Sequence, residues 1–257
     1  MATMKHVEQT WESLAKDDPL WVVCTDERKK GGRWEPAELK ATGEIEIRRV
    51  IEYASRLGVQ PDFDGIALDF GCGVGRLTQP LGKRFRTCFG VDVSATMIEH
   101  ANRLNDNPDR CRFLVNNRAE LRIFPDNHFS FIYSNIVLQH IPSEFSKRYL
   151  REFVRILKPG GLLIFQVVDP SGVSLITRLR DAIRLRTRIR EALGIEKAHW
   201  WMYYLPERQV RRSLNAARVL DIRVTNATQP DFNGNLVFLD SAPPAGPVSK
   251  QYCVTKS

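Results

Sequence analysis

Between Gly65 and Asp169 short apolar runs alternate with helical segments, and this order constrains the fold more than any other feature of the 257-residue chain. The runs read GIALDF, CFGVDV, CRFLV, FSFIYSNIV and GLLIFQVV, with helical stretches between most of them. They are apolar on both faces, as the strands of a parallel sheet covered by helices must be. Strand, helix, strand in that order predicts βαβ units joined by right-handed crossovers, hence an α/β fold. Two later runs, VLDIRVT and KQYCVT, are expected to close the sheet.

The flanking text divides the chain. Residues 1–61 carry Trp11, Trp21 and Trp34, the pair Gly31-Gly32, and a helical stretch from Ala37 to Leu57 ended by Gly58. They read as a helical preamble to a main domain spanning 62–257. Within that domain the segment of about 171–205 is longer than an ordinary connection, which predicts a helical lid or cap after the fifth strand. A helix near Glu207 to Ala217 follows. The formal charge of +8 is regional, with Arg178, Arg180, Arg184, Arg186, Arg188 and Arg190 facing only Asp181. Leu175, Ile176, Leu179 and Ile183 fall at helical spacing among those arginines, so 175–190 suits a docked lid, a peripheral membrane contact or a solvated face. The five cysteines are odd in number and lack CxxC spacing, so neither a disulfide framework nor a structural metal is expected. With no apolar stretch approaching the roughly 20 residues needed to cross a bilayer, a cytoplasmic protein is expected.

In LDFGCGVGRL the strand ends at Asp69, and Gly71, Gly73 and Gly75 then permit a tight turn and close approach of a ligand. Arg76 stands where a dinucleotide fingerprint would have its third glycine, which argues against a nicotinamide cofactor. The next strand ends in Asp92, seventeen residues beyond Gly75, where a carboxylate can accept from both hydroxyls of a ribose.

These residues, in this order, resemble the Rossmann-like class I S-adenosylmethionine-dependent methyltransferases that act on small molecules. The resemblance covers roughly Gly65 to Asp169. It implies a doubly wound, seven-stranded, mostly parallel sheet with helices on both faces and an antiparallel last strand. It further implies that the loop of Asp69, Gly71, Cys72, Gly73, Gly75 and Arg76 holds the methionine part and that Asp92 holds the ribose. Met97 or Val93 would pack on the adenine. Asn117 or Arg118 stands where many relatives carry an acid for the adenine amino group. SNIVLQHIP resembles the segment after the fourth strand, with Ser134 and Gln139 expected to line the site, and LKPGGLLIF resembles the turn into the fifth. Pro159, Gly160 and Gly161 are what a helix stop and tight turn use in any case.

Methyl transfer from a sulfonium is an in-line displacement, so alignment supplies much of the acceleration and a base matters only if the acceptor must lose a proton. His140 is the first candidate for that base and His199 the second; either can equally support a loop or a packed core. Trp200, Trp201, Tyr203 and Tyr204 would wall an acceptor or pack the insertion. Trp34 and Thr42-Gly43 would cover the donor or staple the preamble to the sheet. No metal is implied, since Ser134 replaces a carboxylate after the fourth strand. The leading reading is methyl transfer to a hydroxyl of a small molecule: a sugar, lipid-linked or secondary metabolite. A nucleic-acid methyltransferase is argued against by Ser134-Asn135-Ile136-Val137, which lacks the Asn/Asp-Pro-Pro-aromatic signature. A nonenzymatic adenosine-ligand-binding protein is the third reading.

Overall fold

The computed structural model describes residues 3–173, 201–215, 217–229, 232–243 and 246–257. Three helices lead: α1 (Met4–Asp17), α2 (Pro19–Val23) and α3 (Pro36–Arg56). Their boundaries follow from local chemistry. The Thr3 side chain accepts from the His6 amide at the start of α1, and Asp18 accepts from the Trp21 amide to begin α2. Pro19 and Pro36 occupy first-turn positions, where a missing N–H is harmless.

The sheet follows: β1 (Ile66–Phe70), α4 (Thr78–Arg84), β2 (Thr87–Asp92), α5 (Ala95–Arg103), β3 (Cys111–Val115), β4 (Phe129–Ser134), α6 (Ser143–Ile156), β5 (Leu157–Asp169), α7 (Glu207–Ser213), β6 (Ala217–Thr225), β7 (Phe238–Leu239) and β8 (Val248–Lys256). Strand order is β3-β2-β1-β4-β5-β8-β6-β7. Pairing is parallel from β3 to β5 and antiparallel around β8, as between β6 and β7. The fold is therefore the doubly wound α/β sheet that the runs imply, with an antiparallel last strand. Among the described residues it has eight strands where seven were expected. The additional one is only two residues long, pairing Leu239 with Val224 and Phe238 with Thr225, too short to produce a readable pattern. The helix expected from Glu207 to Ala217 is also shorter, because Ala217 already belongs to β6.

Alternate strand residues feed two cores. On one face Leu68, Ile132, Leu163, Phe165 and Tyr252 meet Leu150 and Phe153 of α6 and Val210 of α7. On the other, Ala67, Phe131, Tyr133, Ile164 and Cys253 meet Ile47 and Val50 of α3 and Leu81 of α4. This two-sided burial is why the strands read as continuous apolar runs. Order reverses between β1 and β4, and in open α/β sheets the crevice beyond the carboxyl ends of such a pair is where ligands bind. Among the described residues no helix is long and apolar enough to cross a membrane. The basic segment 175–190 lies outside them, as does most of the expected cap.

Candidate cofactor and acceptor site

A cavity of about 450 Å³ opens at that crevice. Its wall combines Gly71, Cys72, Gly73 and Arg76 after β1, Asp92 and Val93 at the end of β2, Met97 of α5, and Asn116 after β3. Asn135, Ile136, Val137, Gln139 and His140 enter from the segment after β4, and Val7, Trp11, Val22 and Val23 from the leading helices. Thr228, Gln229 and Phe232 complete one side, and Met202 joins them.

The glycine loop is shaped by backbone geometry that side chains resist. Gly71, Gly73 and Gly75 have φ of 76°, 52° and 83°. At Gly71 an added Cβ would lie 2.3 Å from Val137 Cγ2, so the loop approaches the post-β4 segment as closely as glycine allows. The amides of Gly71 and Cys72 both donate to the Val91 carbonyl, at 2.7 and 3.1 Å, turning the loop beneath the end of β2. Asp92 then ties loop to helix: its two carboxylate oxygens accept from the Gly73 and Ser94 amides, each at 2.9 Å. Burial pushes the Asp92 carboxyl upward, against these hydrogen bonds.

Asp69 is placed differently from the motif's implication. Its carboxylate accepts from Thr78 Oγ1 at 2.6 Å, beneath the start of α4, and it does not line the cavity. Burial lifts its carboxyl to about 7.

The segment after β4 is strained and polar. Ile136, a β-branched residue, has φ of 59°, a conformation that persists only where the surroundings impose it and that gathers at functional sites. Its amide donates to Gln166 Oε1 at 3.2 Å, which leaves Gln166 Nε2 to donate to Gln139 Oε1 and to Ser249 Oγ, both at 3.0 Å. Gln139 Nε2 in turn meets His140 Nε2 at 3.1 Å, and His140 Nδ1 lies 3.0 Å from the Trp201 carbonyl. With an amide N–H fixing one end and a carbonyl the other, the tautomer follows: Nδ1 carries the proton and Nε2 accepts. Burial holds the imidazole down at about 4, against the pull of that carbonyl, so the ring is neutral near pH 7. The Trp11 ring stands edge-on to it at 5.4 Å.

Two acids that the sequence reading passed over organise the site. Glu46 on α3 is 0% exposed and accepts from Arg76, Tyr133 and Asn135, each at 2.8 Å. The signal was an acid set into the apolar stripe Leu39, Gly43, Ile47, Val50, Ala54. Glu12 on α1 accepts from Ser94 Oγ at 2.7 Å, from the Thr96 amide at 3.2 Å and from the Thr96 hydroxyl, which clamps α1 onto the start of α5. Although burial alone would raise its carboxyl, the hydrogen bonds from Thr96 and Ser94 hold it at about 2.

Of the residues singled out in the sequence, the cavity gathers Gly71, Cys72, Gly73, Arg76, Asp92, Val93, Met97, Gln139 and His140. Gly75 packs instead against Phe113, and Ser134 Oγ donates to the Phe70 carbonyl at 3.1 Å. Asn117 and Arg118 lie outside the wall, whereas the neighbouring Asn116 is in it. Trp34 staples the leading segment, donating to the Cys24 carbonyl at 2.8 Å, and Gly43 packs on the Arg76 backbone. His199 and Trp200 lie outside the described residues. Among the described residues no cluster of three or more His, Cys, Asp or Glu side chains could hold a metal ion.

Residues 68–165 match the family model described as a methyltransferase domain. Malonyl-[acyl-carrier protein] O-methyltransferase 1 of Coxiella burnetii is 32% identical over 40% of this chain and 33% of its own length. Phosphoethanolamine N-methyltransferase 1 of Zea mays is 27% identical over 43% of the chain and 22% of its own length. Trans-aconitate 2-methyltransferase of Methylobacterium radiotolerans is 30% identical over 53% of the chain and 50% of its own length. The chain thus spans half or less of these relatives. Among solved structures, magnesium protoporphyrin IX methyltransferase of Synechocystis, crystallised with S-adenosylhomocysteine, superposes with a TM-score of 0.60 at 16% identity, covering 99% of this chain and 100% of that one. The glycine loop and Asp92 meet at one cavity and lie inside the matched segment, so residues 68–165 are similar to a methyltransferase domain on a Rossmann-like fold.

Proposed function

We propose that the chain transfers the methyl group of S-adenosylmethionine to a hydroxyl oxygen of a small molecule. The observation that carries this reading is the convergence of the glycine loop, Asp92 and His140 on a single cavity. The residues present fit the donor. Two buried polar atoms in the wall residues, Arg76 Nε and Asn135 Oδ1, have no hydrogen-bond partner among the described residues, a donor and an acceptor matched to an amino-acid carboxylate and ammonium. Asp92 would accept from the ribose hydroxyls, Val93 and Met97 would pack on the adenine, and Asn116 is the polar group nearest in sequence to the expected adenine contact. When bound, S-adenosylmethionine supplies an electrophilic methyl on a positively charged sulfur. The apolar wall of Trp11, Val22, Val23, Val137 and Phe232 excludes water and holds the two reactants in line. In this reading residues 1–61 form the cover of the donor site and 62–257 the transferase domain.

Support for a neutral acceptor comes from charge. Among the described residues Arg76 is the one lysine or arginine of the wall, and Glu46 already pairs with it at 2.8 Å. With Arg76 turned to the donor, such a wall offers no second cation among the described residues to an acceptor carboxylate. The test is transfer of a labelled methyl group to paired hydroxyl and carboxylate acceptors. A methyl ether survives mild alkali and supports the reading; a label released as methanol marks an ester and overturns it.

His140 takes the hydroxyl proton on Nε2, exchanging its bond to Gln139 for one to the acceptor. Because its imidazole is held near 4, the acid limb of the rate profile is expected there, with no inflection at 6.5. The same shift acts on stability. The unfolded chain, with an ordinary imidazole, takes up the proton first, so the fold weakens as pH falls from about 6.5 toward 4. An inflection at 6.5 that His140→Ala removes would contradict the burial described above.

A further inference from the structure

We infer that Glu46 is a positioning residue for the amino-acid end of the donor, and that through it helix α3 is part of the methyl-donor site. The inference rests on the methyltransferase reading above. It starts from what a fully buried carboxylate can do. Glu46 is 0% exposed, and as a carboxylate it only accepts hydrogen bonds. Its Oε1 therefore receives the NH2 end of Asn135 and the Tyr133 hydroxyl, both at 2.8 Å, while Oε2 receives the Arg76 guanidinium at 2.8 Å.

Two orientations are fixed in this way. The Asn135 amide cannot flip, because its oxygen would then face a carboxylate, so Oδ1 is held on the other side with no partner among the described residues. Arg76 is likewise held: one terminal nitrogen is on Glu46, the other lies 3.4 Å from Thr42 Oγ1, and Nε has no partner among the described residues. Both residues line the cavity, 5% and 8% exposed, so one buried acid presents a cation and a bare acceptor side by side. That pair suits a zwitterion and suits neither an adenosine nor a simple carboxylate as well.

The approach of α3 is built for this contact. A Cβ at Gly43 would fall 2.0 Å from the Arg76 carbonyl oxygen, so no larger residue could let the helix bring Glu46 within reach. Tyr133, pushed well above its ordinary range by burial and by the charge of Glu46, stays a hydroxyl donor to it.

The experiment is calorimetric binding of two probes, S-adenosylhomocysteine and 5′-methylthioadenosine, which keeps the adenosine and sulfur but lacks the amino acid. Glu46→Gln is expected to weaken S-adenosylhomocysteine at least tenfold and 5′-methylthioadenosine less than twofold. Because removing one partner of a buried ion pair can unfold a domain, the exchange Glu46→Gln/Arg76→Gln, neutral and able to hydrogen-bond, is measured alongside. It is expected to give the same selective loss. Equal weakening of both probes would make Glu46 a structural support only, and retention of both affinities would overturn the inference. If the unaltered protein binds neither probe, the methyltransferase reading itself fails, which is a different result from either.

Discussion

Gly71→Ala is expected to remove measurable binding of S-adenosylhomocysteine and to lower stability by several kcal/mol. Two costs combine at this position. With φ of 76° the backbone is left-handed, which disfavours any side chain by about 1–2 kcal/mol. The new Cβ would also meet Val137 Cγ2 at 2.3 Å and Cγ1 at 2.5 Å, and relieving such overpacking costs about 1–3 kcal/mol more. Gly160 supplies the control, having φ of 73° but nothing within 4 Å of an added Cβ. Gly160→Ala should show the backbone cost alone in denaturant titrations. Equal destabilisation by the two substitutions would refute the close approach of the glycine loop to Val137. Partial recovery in Gly71→Ala/Val137→Ala would confirm it.

Asp92→Ala is the second large effect. The carboxylate accepts from the Gly73 and Ser94 amides at 2.9 Å each and, in the proposed complex, from the ribose hydroxyls. Hydrogen bonds to a charged group contribute about 1.5–3 kcal/mol each, and about 1.4 kcal/mol is tenfold in affinity. Loss of affinity for S-adenosylhomocysteine by about two to four orders of magnitude follows from the two hydroxyl bonds, with the Asn variant intermediate because it keeps one acceptor. Unchanged affinity in calorimetry would place the ribose elsewhere.

The sheet was legible because parallel strands covered on both sides advertise themselves as apolar runs, and the crevice was legible because GxGxG and a strand-terminal acid need each other's context. What escaped has physical causes. β7 is a two-residue pairing that leaves no periodicity. Asn116 rather than Asn117 enters the wall because the strand ends at Val115 and a one-residue offset turns a side chain to the opposite face. Asp69 sits in the motif yet is consumed by Thr78, nine residues along, a contact made only once α4 folds back over β1. Glu46 reaches Arg76, Tyr133 and Asn135 across 30 to 89 positions of sequence, so no local pattern could connect them. His140 was visible as a site residue, but its tautomer depends on Ile136, Gln166, Gln139 and Trp201 together.

The most direct test of the central claim is calorimetric titration of the protein with S-adenosylhomocysteine, with a nicotinamide dinucleotide as the control ligand. The geometry at Gly71, Asp92, Arg76 and Asn135 predicts saturable binding of the former, one per chain, and none of the latter. Binding of the dinucleotide in its place, or of neither ligand, would contradict a methyl-donor site in this cavity.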